Sequence, residues 1–328
     1  MSSFPSLIRR PRRNRQHPIM RRLAQETHLS CDQWIAPLFV TEHLHLQGPI
    51  SAIPGASRLC IDGLLREVET LLQLGIRAIL LFPVIAQEEK DPLGSLAIRP
   101  NQLLQKAVRK VKETYPELLV IVDIALDPFT DHGHDGVLHA KTGVDNDQTL
   151  IALGKMALLA AEAGADMVAP SDMMDGRVAY IRRSLDESGW CDVAILSYAA
   201  KYASAFYGPF RQALGSGVKQ GDKKSYQLNP ANRREAILEA YLDEEEGADM
   251  LLIKPALPYL DVIAELRQTT RLPIGAYQVS GEYAMILAAA EKGWVDAESA
   301  LMESILSIKR AGADFIVTYA AKQLAKWV

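Results

Sequence analysis

Apolar positions along this chain follow two rhythms. Segments with helical spacing, at 61–74, 102–114, 148–163, 177–187, 233–245, 259–269 and 297–310, alternate with short continuous apolar runs. Runs of that kind read as strands buried on both faces. Eight stand out, near 34–39, 76–82, 118–124, 166–170, 193–197, 249–253, 273–278 and 314–318. The junctions repeat a phrase. Ala163-Gly164-Ala165-Asp166 leads into Met167-Val168-Ala169-Pro170, Gly247-Ala248-Asp249 into Met250-Leu251-Leu252-Ile253, and Ala311-Gly312-Ala313-Asp314 into Phe315-Ile316-Val317. Gly75, before 76–82, is a weaker fourth copy. A glycine there suits the left-handed cap that ends a helix. Strand–helix alternation favours parallel strands with helices outside. Eight such units over about 300 residues predict a closed (β/α)8 barrel, the TIM-barrel architecture, rather than an open sheet. No G-x-G-x-x-G follows a strand, which counts against dinucleotide binding.

Composition adds bounds. The chain has 328 residues, 48% of them hydrophobic and 23% charged, as expected of a globular protein with a large core. No apolar run reaches the ~20 residues that span a bilayer, and Met1 to Leu7 lack the apolar centre of a secretory signal. Cys31, Cys60 and Cys191 are far apart and form no C-x-x-C pair, which argues against disulfides and thiolate zinc and for a reducing cytoplasm. Charge is unevenly placed. The net charge is −4, yet residues 1–22 hold seven arginines and no acid, leaving −11 for the rest. We read residues 1–30 as an arm and 31–328 as the barrel. Pro5, Pro11 and Pro18 favour an extended strap that docks on the acidic body of a neighbouring subunit. A nucleic-acid tail or a transit peptide is the alternative, but the body has no basic face to continue such a site.

In a (β/α)8 barrel the reacting groups gather at the carboxyl ends of the strands. The polar residues there are Asp123, Ser171, Lys254, Ser280 and Tyr319, with Lys201 just past the fifth strand. Lys254 ends the run Leu251-Leu252-Ile253. An ammonium in such surroundings is poorly solvated, its pKa falls, and a second lysine nearby pushes the same way. A neutral amine can attack a ketone and form a Schiff base, whereas an ordinary lysine snorkels to solvent. After the third strand, Asp123, Asp127, Asp131 and Asp135 are spaced to gather around a hard cation such as Mg²⁺ or to form a plain acidic loop. His132 and His134 are a weak zinc signal. Residues 207–227 have little apolar periodicity and read as a long mobile loop, a lid in which Arg211, Lys223 and Lys224 could grip a carboxylate.

Longer strings point further. Pro170-Ser171-Asp172-Met173-Met174-Asp175-Gly176-Arg177, the stretch Ser197-Tyr198-Ala199-Ala200-Lys201 through Tyr207-Gly208-Pro209-Phe210-Arg211, and Lys254-Pro255 with Tyr259-Leu260-Asp261 resemble the porphobilinogen synthase (5-aminolevulinate dehydratase) family. Val279-Ser280-Gly281-Glu282-Tyr283 and Arg10-Pro11-Arg12-Arg13 fit the same pattern, and the resemblance runs from about residue 8 to the C-terminus. It implies a lyase that condenses two 5-aminolevulinate molecules to porphobilinogen in tetrapyrrole (haem) synthesis. On that resemblance Lys254 and Lys201 are the Schiff-base lysines, holding the substrates that supply propionate and acetate respectively. Arg211, Lys223 and Gln227 in a lid of about 203–228 grip one carboxylate, and Ser280 and Tyr319 bind the other. Asp123, Ser171, Tyr207 and Phe210 line the pocket. Lys223 stands where many members have arginine, which keeps the charge but loses the bidentate fork.

The resemblance also bears on metals and assembly. Zinc-type members place three cysteines where this chain has Ala125, Asp127 and Asp135, and carboxylates replace soft thiolates poorly. The pattern is similar to the aspartate-rich, magnesium-responsive bacterial group, so catalytic zinc is not expected. Glu239 matches the residue that holds an allosteric Mg²⁺, and Asp127 and Asp135 are left open as ligands of a monovalent or magnesium ion. The family implies a cytoplasmic homo-octamer joined through its arms, with neither nucleic acid nor membrane as partner. A class I aldolase-like barrel with one Schiff-base lysine is the rival enzyme reading, and two lysine motifs count against it.

Overall fold

The computed structural model describes residues 7–139, 143–219 and 221–328. All eight expected strands form. We number them β1 (Trp34–Val40), β2 (Ala78–Pro83), β3 (Leu119–Ile124), β4 (Met167–Pro170), β5 (Ala194–Lys201), β6 (Met250–Lys254), β7 (Ile274–Gln278) and β8 (Phe315–Thr318). Each pairs in parallel with its neighbour, and β8 returns to β1 through Trp34↔Ile316 and Ile35↔Val317, so the sheet closes into a barrel with helices outside. The near-continuous burial of the strands reflects apolar packing on both faces, inward among themselves and outward against the helices.

The repeated glycine-aspartate phrase has one structural cause. Gly75, Gly164, Gly247 and Gly312 all adopt positive φ, from 81° to 125°, where a Cβ is strained. The aspartate after each of the last three then ties strand to strand. Asp166 donates its amide to the Val120 carbonyl while its carboxylate accepts from the Val120 amide at 2.8 Å. Asp249 does the same with Ile195, and Asp314 with Ile274. Three junctions thus lock the entry of one strand to the entry of the next by the same pair of bonds, two of them reinforced by Lys112 on Asp166 and Arg267 on Asp314.

Four features depart from expectation. The arm is not an extended strap over its described part: residues 13–16 and 18–23 form short helices with no buried residue, and Pro18 opens the second at the one position where its missing N–H costs nothing. Pro5 lies outside the described residues. A helix over Ser280–Glu291 follows β7, where the apolar residues run all round and give no periodicity. Two small hairpins also form, Gly48–Pro49 with Ser57–Leu59, and Leu138–His139 with Gly143–Val144. Finally, the segment read as a loop at 207–227 contains the helix Gly208–Leu214, started by Pro209 and ended by Gly215 in the left-handed region. Seven residues are too few to display a period.

Candidate active site

Lys201 and Lys254 end adjacent strands and are direct register partners. A bulge makes them so. Leu251 pairs with Ser197 but Ile253 pairs with Ala200, so β5 holds one extra residue. Without it Lys254 would face Ala200, and Lys201 would turn out of the pocket. A buried arginine supports the irregular stretch. Arg177, on the helix Arg177–Glu187, donates to the Tyr198 carbonyl and Ser197 Oγ, both at 3.1 Å, and to Asp243 Oδ2 at 2.9 Å. Asp243 also accepts from Ser197 Oγ, so the charge of Arg177 is matched where it is buried.

The two amines have different surroundings. Lys254 Nζ makes no ion pair among the described residues and sits among four rings, with centroids of Tyr277 at 4.6 Å, Phe210 at 4.8 Å, Tyr198 at 5.2 Å and Tyr207 at 5.3 Å. Burial first, and then the charge of Lys201, lower its pKa to about 7. Lys201 Nζ instead donates to the Ser171 carbonyl and lies 3.5 Å from Asp135. A carboxylate belongs to each environment. Burial raises Asp123 to about 7, against the pull of Lys201, and one of its oxygens has no hydrogen-bond partner. Asp135 is held at about 2, because Lys201 and Lys223 outweigh its burial.

Most of the expected residues converge. Asp123, Asp127, Ser171, Lys201, Tyr207, Phe210, Arg211, Lys223, Gln227 and Lys254 line one pocket at the carboxyl ends of the strands. Tyr207 donates to the Lys254 carbonyl, and Ser280 Oγ accepts from the Phe210 amide at 3.0 Å. Tyr319 bonds Tyr277, one of the four rings, at 3.1 Å and lines a neighbouring cavity with Phe39 and Thr318. Glu282, fully buried, accepts from the amides of Ala256, Leu257 and Val279 and so braces the turn after Lys254. Lys224 faces outward and pairs with Asp222. Asp131 does not line the pocket, and His132 bonds the Pro92 carbonyl. Tyr198, Tyr277, Glu282 and Arg177 were not singled out from the sequence. Their signal was faint: bulky polar groups inside otherwise apolar strands, and acids or bases that look exposed in a linear string.

The donor set speaks to metals. Lys223 Nζ is 2.9 Å from Asp135 and 3.7 Å from Asp127, and Gln227 Nε2 also reaches Asp135. Two carboxylates that already face ammonium groups suit a cation poorly, and no group of three His, Cys, Asp or Glu fit for a metal occurs among the described residues. Glu239 is elsewhere, half-buried on the wall of a cavity of about 380 Å³ with Asp175 and Glu235. Burial raises its pKa, and the nearby Asp243, Asp175 and Glu235 add to that, partly offset by Arg177. The lysine pocket itself encloses only about 20 Å³, room for roughly one water. Tyr207, Phe210, Arg211, Ser216, Lys223 and Gln227 of the lid cover it.

Comparisons with known proteins agree on one family. The model of "Delta-aminolevulinic acid dehydratase" matches residues 8–327. A protein of that name from Chlamydia pneumoniae is 53% identical, with 98% of this chain and 96% of the relative covered. A chloroplastic relative from Physcomitrium patens is 52% identical over 97% of this chain and 74% of its own length. The crystal structure of the Toxoplasma gondii enzyme, in complex with the reaction product porphobilinogen, superposes with a TM-score of 0.97 at 49% identity, covering 99% of this chain and 93% of that one.

The arrangement makes the state of Lys254 measurable. Brief acetylation followed by peptide mass mapping should give half-maximal reactivity near pH 7. Lys201→Met removes the like charge that disfavours the ammonium, so the midpoint should move up in pH while staying below the ordinary ~10.4, since burial persists. A midpoint at the ordinary lysine value in the unmodified protein would contradict this reading.

Proposed function

The chain belongs to the delta-aminolevulinic acid dehydratase family, and on that premise we propose how its residues divide the work. It condenses two molecules of 5-aminolevulinate to porphobilinogen with loss of two waters, a step of tetrapyrrole (haem) synthesis. The observation that carries our assignment of roles is the register pairing of Lys201 with Lys254, both buried at the base of one small pocket.

Lys254 is the first nucleophile. Near pH 7 a large share of it is unprotonated, so its Nζ lone pair adds to the ketone carbon of one substrate and the carbonyl oxygen departs as water, leaving an imine. Lys201 holds the second substrate in the same way. For that it gives its proton to a neighbouring base, which ends its contact with Asp135. Asp123 is the proton carrier. Its raised pKa lets it exist in both forms near neutrality, which is what general acid–base work requires. Arg211, exposed at the pocket mouth, takes one substrate carboxylate with Lys223 and Gln227 of the lid. Lys223 must leave Asp135 to do so, which links gripping substrate to releasing a carboxylate. Ser280 and Tyr319 take the other carboxylate, with Ser171, Tyr207 and Phe210 shaping the space between.

We place the chain in the aspartate-rich, magnesium-responsive subgroup. Asp127 and Asp135 facing Lys223 support chemistry without zinc. Glu239 would hold a hard cation such as Mg²⁺ largely through waters, since the nearby Asp175 and Glu235 form no direct three-acid ligand set with it but repel its charge, which a cation would offset. That cavity also touches Gln227, so a cation there bears on the lid from outside. The arginine-rich arm suits docking on the acidic body of another copy in a homo-octamer, and the three unpaired cysteines suit a reducing cytoplasm. No helix among the described residues is long and apolar enough to cross a membrane.

Borohydride reduction in the presence of 5-aminolevulinate should leave stable adducts on Lys254 and Lys201 in a peptide map. Lys254→Met should lower turnover by roughly 10⁴-fold or more. Absence of both adducts would sink the mechanism. EDTA should reduce activity and Mg²⁺ restore it, Glu239→Gln should abolish that response, and a zinc-selective chelator should do little. Loss with the zinc chelator that only zinc repairs would overturn the metal assignment. Removing residues 1–15 should yield smaller assemblies by sedimentation with altered activity. An intact assembly that has lost only affinity for nucleic acid would reverse our view of the arm.

A further inference from the structure

The lid has to move. Lys201 and Lys254 are 6% and 4% exposed beneath it, so substrate reaches the amines only when the segment carrying Phe210 and Arg211 lifts away. What holds it down is therefore part of the enzyme's working. The lid helix Gly208–Leu214 ends, like any helix, with carbonyls that have no partner of their own and with the negative end of its dipole. Two basic side chains from outside the lid take these carbonyls. Arg58 donates from Nε to the Ala213 carbonyl at 2.8 Å and from Nη2 to the Gln212 carbonyl at 2.9 Å. Lys90 donates from Nζ to the Gly215 carbonyl at 3.0 Å and to that of Leu214 at 3.4 Å. Four consecutive carbonyls are thus held by two cations.

Both cations are anchored to the barrel. Arg58 belongs to the short strand Ser57–Leu59, which pairs with the end of β1 at Phe39. Lys90 follows β2, and the next residue, Asp91, bridges to Thr130 in the loop after β3. Lys90 is itself buried to 9% exposure, so its ammonium depends on these carbonyls and on the charge of Asp127 for compensation. Neither Arg58 nor Lys90 lines the lysine pocket. We propose that Arg58 and Lys90 are positioning residues that latch the lid, holding its helix shut by capping the C-terminal carbonyls and so setting the fraction of molecules in which Arg211 is placed to grip substrate. Each bond is charge-assisted, and three of the four are at least partly shielded from water, so the pair has a strong hold on that equilibrium. The bonds are to backbone, so the latch works whatever side chains the lid presents. This inference rests on the lid residues gripping substrate, as argued above.

The test uses Arg58→Met, Lys90→Met and the double variant, which keep the apolar stems and remove the donors. In the unliganded protein, hydrogen exchange at amides 211–216 should quicken about tenfold or more, while that of the barrel strands stays unchanged. KM for 5-aminolevulinate should rise by a similar factor with kcat at saturation largely kept, because substrate pays the closing cost. Arg58→Lys should recover part of both effects. Unchanged lid exchange in the double variant would overturn the latch. So would faster exchange spread evenly over the strands, or faster lid exchange with KM unaltered. Borohydride adducts on Lys201 and Lys254 at saturating substrate should persist in every variant. Their absence in the unmodified protein would instead refute the lysine roles, so the two failures are distinguishable.

Discussion

Two primary amines placed side by side where little water reaches them are the constraint on which this structure turns. Charging both would leave two like charges in a medium that solvates neither, and the protein divides the problem rather than neutralising it uniformly. Lys201 lies near Asp135, which is also bound by Lys223 and is held at about 2. Lys254 sits among aromatic rings with no ion pair among the described residues, and burial and then the charge of Lys201 lower its pKa to about 7. Asp123 rises toward the same value because it is buried. One carboxylate is thus charged at rest, while one amine and one carboxylate are poised between states, which is how a single pocket can supply both a nucleophile and a proton carrier.

The frame around that pocket makes the placement rigid. Each reacting strand starts at a junction where an aspartate returns two bonds to its neighbour, so strand registers are set far from the chemistry and carried along the barrel. Where the register must change, at the β5 bulge, a fully buried arginine takes the displaced carbonyl. Motion is then left to the lid, whose helix is held by backbone contacts to Arg58 and Lys90 at one end and to Ser280 near the other. Close packing leaves little slack there: a Cβ on Gly281 would come within 2.4 Å of the Phe206 carbonyl oxygen. A stiff barrel with a separable cover is what a reaction that must exclude water yet admit two polar substrates calls for.

Much of this was legible in the linear string, for identifiable reasons. The strands announced themselves because burial on both faces demands unbroken apolar runs, and the glycine caps because only glycine accepts the positive φ at a helix end. Lys254 stood out because a charge beside three apolar residues has few ordinary explanations. The lid helix, the helix after β7 and the hairpins were not legible, because short or uniformly apolar segments carry no period. The rings of Tyr198 and Tyr277 escaped notice because a tyrosine in an apolar run reads as core.

The sequence by itself determined the fold class, the eight strand positions, the two lysines and the unequal charge of arm and body, since each depends on local pattern or on the kinds of residue present. Only the tertiary structure decided that the lysines are register partners, since that rests on one extra residue in β5 whose effect appears when strands pair. It likewise decided which carboxylate serves which amine, and that Lys223 lies against Asp135 rather than free in solvent. Those are matters of distance and burial between residues far apart in the chain, and pKa values follow distance and burial, which sequence spacing does not record.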